Sequence, residues 1–286
     1  MKKNRNYFIL LITAVILFVT PVVYANNAGE QRVTLGADLT ADQINNIYSD
    51  FGISRGDVPE LFVTNQEERQ YLSGLINDER IGTHALSSIY ITVLEEGEGI
   101  SVSTHNINWC TAEMYENALE TAGIANANII ISAPFHVSRT AALTGIYKAY
   151  SDITGISMSE VNKTAGVEEL VITGELADVV GSDEAVFLIN ELKEILDQTD
   201  DMTNAELEQE ILAIADNHNL DLTDENIQQI ISLTRTLEKV DFRNWQERVL
   251  KFSAFMESVE KAGDDVTSFF QTIGNFFVNI GTYFQK

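Results

Sequence analysis

The densest group of chemistry-bearing residues is the run His136, Val137, Ser138, Arg139 and Thr140. A serine two residues beyond a histidine could act as a nucleophile if His136 or His105 took its proton, the arrangement of a hydrolase. No Gly-x-Ser-x-Gly elbow surrounds Ser138, so hydrolysis stands as the alternative reading and non-enzymatic binding as the first. In the binding reading, the N–H groups of a helix start, the Arg139 guanidinium and the Ser138 and Thr140 hydroxyls would hold an anionic or hydroxyl-rich group. Two other junctions carry similar residues: Thr64 with Asn65, and the segment from His105 to Thr111. The same side chains are the ordinary caps of helices, and capping is the plainer account of them.

Other candidates are weaker. Cys110 is the only cysteine, so no internal disulfide is expected, and beside Trp109 it reads as a small buried filler rather than a reactive thiol. The four histidines, His84, His105, His136 and His218, have no zinc spacing. Residues 216–224 resemble a calcium loop, but Leu220 stands at a ligand position and Asp221 where the turn needs glycine. No metal and no cofactor is expected.

The elements that must position these residues are legible from caps and periodicity. Thr40 with Gln43 opens a helix carrying Ile44, Ile47, Tyr48 and Phe51 on one face. Residues 60–63 read as a strand, followed by a helix that Thr64 and Glu67 launch. Residues 88–94 and 100–104 alternate around an acidic, glycine-bearing turn and read as a hairpin. Thr111 caps a helix closed by Gly123. Residues 128–133 form an apolar run for a central strand that Pro134 should stop, and a helix runs from about Arg139 to Ile153. The order α-β-α-β-β-α-β-α predicts an α/β fold, a mixed sheet sandwiched by helices over residues 26–155. If the strands run parallel, the three junctions share one sheet edge, where open α/β sheets bind ligands.

Beyond Gly155 strand signals fade and cap signatures recur at Ser157, Ser182, Thr203 and Thr223. Residues 156–286 are therefore expected to be an all-α domain, and 26 of the 43 acidic residues lie there. At its end Val266, Phe269, Phe270, Ile273, Phe276 and Phe277 recur at helical spacing, continuing to Phe284. Interfacial helices favour Lys and Arg on the polar face, and this stripe has almost none, so it reads as a core or protein-docking surface.

The chain opens with a basic tip (Lys2, Lys3, Arg5), an apolar stretch over residues 7–19, and small-residue positions ending at Ala25. That is the layout of a secretory signal peptide with cleavage between Ala25 and Asn26, so a secreted protein with no stable membrane anchor is expected. The formal net charge is −25, and loss of the three leader bases leaves 15 bases against 43 acids, −28. A field of that sign repels nucleic acid, which excludes it as a partner.

Several segments match a known family: Val33 to Leu39, Val63 to Glu68, Ala118 to Gly123, and above all Ala133-Pro134-Phe135-His136-Val137-Ser138-Arg139 with the residues to Gly145. On these the chain resembles the YpuA-like secreted proteins of Gram-positive bacteria, a family classed as a domain of unknown function. The resemblance covers residues 33–155 firmly and the helical half loosely. It implies export and an envelope role, and brings no catalytic residues with it. Together these readings predict an exported binding or interaction module, with Thr64, Asn65, His105, Thr111, His136, Ser138, Arg139 and Thr140 around the ligand. An assembly role through the C-terminal aromatic stripe is a further alternative.

Overall fold

Alternation in Gln31–Gly36 builds strand β1, which turns Val33 and Leu35 into one buried face and Thr34 into the other. This strand is missing from the order predicted above. The computed structural model describes residues 27–75, 81–137, 141–155 and 157–240. The signal-peptide reading, Ser138, Arg139 and Thr140, and the aromatic stripe from Val266 to Phe284 lie outside the described residues.

The described strands are β1, β2 (Glu60–Val63), β3 (Ser88–Val93), β4 (Ile100–Ile107) and β5 (Ala127–Val137), in the spatial order β2-β1-β3-β5-β4. β1 pairs with β2 and β4 with β5 in parallel, while β3 is antiparallel to β1 and β5. The hairpin prediction is corrected here, because β5 lies between β3 and β4. Ile129 and Ile131 of β5 are fully buried, which suits a central strand, whereas Ser101, Ser103 and His105 of β4 are exposed, which suits an edge. The acidic turn crosses the amino end of β5, where the Asn126 side chain accepts N–H bonds from Gly97 at 2.9 Å and Gly99 at 3.1 Å.

Pro134 does not stop β5. The strand continues to Val137 because the β4–β5 register shifts between His105 and Ile107, and a bulge is where a strand tolerates proline. Both sheet edges are blocked by charged residues. Lys148 Nζ donates to the Phe62 carbonyl at 2.6 Å on β2, and Glu116 accepts from the Val102 N–H at 2.8 Å on β4.

Helices cover both faces. α1 (Ala41–Phe51) packs Ile44, Ile47, Tyr48 and Phe51 against Val33, Leu35 and Tyr90. On the opposite face α3 (Ala112–Ala122) and α4 (Ala142–Thr154) enclose Ile89, Ile91, Ile129 and Ile131, with α2 (Asn65–Leu72) against α4. The capping boxes at Thr40 and Thr64 and the Thr111 cap form as the sequence predicts.

The chain then becomes helical: α5 (Glu160–Val180), α6 (Ser182–Glu194), the single turn α7 (Leu196–Thr199), α8 (Asn204–Asn217) and α9 (Asp224–Leu237). Thr203 and Thr223 form capping boxes. Ser157 and Ser182 do not cap. α5 starts after Ser159, and Ser182 is itself the first residue of α6, after Gly181; neither start has a side-chain cap bond. α5 is buried along residues 165–174: Val167, Leu170 and Val171 join the core beneath the sheet, while Ala165, Ile172 and Leu176 join the core of α6, α8 and α9. A helix enclosed on all sides must carry small residues where backbones meet. Gly166 lies against the Ala118 carbonyl and Gly174 against the Trp109 ring, whose indole N–H bonds Asp178 at 3.1 Å.

Candidate functional site

β1, β2, β4 and β5 run in one direction, so their carboxyl ends lie along one edge of the sheet. The predicted site residues are strung along that edge rather than gathered at a point. Thr64 and Asn65 follow β2, while His136 and His105 sit on β5 and β4, three and four strand positions away, about 14–19 Å.

Several of these groups are already engaged. The Thr64 hydroxyl accepts from the Glu67 N–H, and its own N–H donates to Glu67 Oε2 at 2.8 Å. Asn65 accepts from Arg69 Nε at 3.0 Å and donates to Glu68 at 3.1 Å. The Thr111 hydroxyl accepts from the Met114 N–H at 3.3 Å. The two histidines are exposed, and the local backbone is unusual. Asn106 has φ 60°, a left-handed conformation, and its side chain donates to the Ala133 carbonyl at 2.8 Å. That bond holds the bulge open and leaves Phe135 51 % exposed beside His136. His105 is in register with Ser132, whose hydroxyl donates to Asp50 of α1 at 2.6 Å.

Sequence reasoning passed over a groove of about 200 Å³ between α2, α4 and the start of α5. Its lining includes Glu67, Tyr71, Lys148, Ser151 and Lys163. Lys148 pairs with Glu67 at 2.6 Å. Partial burial pushes the Glu67 carboxyl up, but the Lys148 ammonium and the Thr64 N–H and hydroxyl outweigh it and hold its pKa below the usual value. Lys163 donates to the Tyr71 hydroxyl at 3.0 Å and lies 5.3 Å from the centroid of that ring. No local motif announces this groove, because three helices supply it. The available signal was the scarcity of bases in the sequence, 18 against 43 acids, since two of them line one groove.

Elsewhere, burial and the neighbouring Glu191 push the Glu194 carboxyl up to about 8, and burial also raises Glu191 despite His218 nearby. A carboxyl whose pKa is raised on folding favours the folded state fully below the unfolded value, and that stability is lost as pH rises through the folded one. Urea midpoints of the parent should therefore fall between pH 5 and pH 9. Glu194→Gln should reduce the fall by stabilising the protein at pH 9 more than at pH 5; an unchanged difference would refute the assignment. Among the described residues no group of three or more His, Cys, Asp or Glu could hold a metal ion. Cys110 is buried, beneath the sheet.

A mixed α/β sheet unit running into a helical region, with a bulged carboxyl edge and a basic groove, is the class of protein that the fold defines. The family described as "Protein of unknown function (DUF1002)" matches residues 35–253. The "Uncharacterized protein YpuA" of Bacillus subtilis (strain 168) is 36 % identical over 276 residues, covering 95 % of this chain and 94 % of that protein. The chain belongs to the DUF1002 family to which YpuA is related. No solved structure matches it.

Proposed function

We propose that this chain is an exported, non-enzymatic binding or interaction module of the cell envelope or extracellular space, taking its ligand at the carboxyl edge of the sheet. The observation that carries the reading is the β4–β5 bulge, which spends a left-handed asparagine and a strand proline and leaves Phe135 and His136 exposed towards the carboxyl end of β5. A bulge at a sheet edge re-aims the side chains it carries, here a ring and an imidazole turned to solvent. The run Ser138, Arg139 and Thr140 follows directly in sequence and adds donors. Residues 1–25 support export, and the charge of the mature chain argues against nucleic acid.

The test is thermal unfolding of residues 26–286 with muropeptides and teichoic-acid fragments, beside a Phe135→Ala/His136→Ala variant and a Ser138→Ala/Arg139→Ala/Thr140→Ala variant. A ligand at 100 times its dissociation constant should add about 2.7 kcal/mol to the parent and much less to both variants. Stabilisation that persists in both would remove the edge as the site. Ligand turnover abolished by Ser138→Ala would replace the binding reading with a hydrolase.

A further inference from the structure

The groove between α2, α4 and α5 holds a cation whose solvation has already been reduced and whose counter-ion is easily exchanged. The Lys163 side chain is 13 % exposed, laid against the Tyr71 ring, yet its carboxylate partner Glu160, at 2.5 Å, is 73 % exposed. The backbone beneath it is held in place, since the buried Tyr147 hydroxyl donates to the Lys163 carbonyl at 3.3 Å. Glu160 closes the pair from the solvent side, so an incoming anion can take its place and gain an ammonium already seated on an aromatic face. The ammonium donates to the Tyr71 hydroxyl, and the groove is also lined by Gln70, Thr144, Ser151 and the Lys148–Glu67 pair. At about 200 Å³ the groove is smaller than the roughly 300–1,000 Å³ of drug-sized ligand sites, so it takes one small unit.

From this geometry we infer that the groove binds an oxyanion carried on a short hydroxylated skeleton, a sugar acid or a polyol phosphate, with Lys163 as the anion contact and Glu160 as the competing internal anion. The site is separate from the bulged edge, none of whose residues line it.

Isothermal titration of the mature chain with gluconate, glycerol 3-phosphate and neutral glucose, at matched ionic strength, tests it. At least one of the two oxyanions should bind, and which one does so separates the carboxylate source from the phosphate source. Glucose should give no comparable binding. Lys163→Met, which keeps the apolar stem against Tyr71, should weaken binding at least tenfold, about one charge-assisted contact. Glu160→Gln should tighten it about two- to fivefold by removing the competitor. Absence of binding by both oxyanions, equal binding of glucose, an unchanged Lys163→Met or a weakened Glu160→Gln would each overturn the inference. If Lys163→Met fails to fold, Glu160→Gln decides alone. The Phe135→Ala/His136→Ala variant should bind these probes like the parent, so failure at the edge and failure at the groove are read separately.

Discussion

Replacing Lys193 with methionine is expected to destabilise the protein by about 3–5 kcal/mol, because it strands a buried carboxylate. Lys193 of α6 and Glu169 of α5 pair at 2.8 Å with side chains only 2 % and 1 % exposed. The Thr121 hydroxyl of α3 donates to the other Glu169 oxygen, and Lys193 also reaches the Asn117 carbonyl at 3.4 Å. Three helices therefore meet on one ion pair, and the methionine variant would leave Glu169 with Thr121 as its remaining polar partner among these contacts. A buried pair is costly to assemble as well as to break, so removing both charges should cost far less than removing one. The Glu169→Gln/Lys193→Met double variant keeps an oxygen for Thr121 and should recover most of the loss in urea unfolding. A single variant within about 1 kcal/mol of the parent would show that the carboxylate finds solvent, against the burial described.

Gly166→Ala should cost about 3 kcal/mol, the upper part of the overpacking range. A Cβ built there lies 2.4 Å from the Ala118 carbonyl oxygen and 2.8 Å from the Tyr147 hydroxyl. The nearest obstacle is backbone, so α3 and α5 must separate along a contact that joins the sheet core to the helical core. Gly145→Ala is the control, since α4 there meets only the Ile89 and Thr34 side chains at 3.5 Å or more. The helical preference of alanine, about 1 kcal/mol, should make that substitution neutral to stabilising. Equal melting temperatures for the two variants would mean that the α3–α5 crossing relaxes more freely than its geometry allows.

Caps and periodicity were the reliable sequence signals, because they act within one turn or one strand. Thr40, Thr64, Thr111, Thr203 and Thr223 cap as read, since a side chain reaching an N–H three residues on needs nothing from the rest of the molecule. Ser157 and Ser182 do not cap, since α5 begins after Ser159 and α6 at Ser182 itself, and a nearby serine is not by itself a cap. The alternation of Val33 and Leu35 marks β1 in the sequence at least as plainly as residues 60–63 mark β2, yet the predicted order omits it.

What the sequence determined by itself was local: helix starts, the apolar strand at residues 128–133, a mixed α/β half followed by a helical half, and kinship with a family through runs such as Ala133 to Gly145. Tertiary structure alone decided that β5 separates β3 from β4, that Pro134 sits in a bulge, and that Lys148 and Lys163 face one groove. The division follows from range. Hydrogen bonds within a turn and the facing of alternate residues depend on neighbours in the chain, whereas strand order and the meeting of distant side chains depend on which apolar surfaces bury one another best.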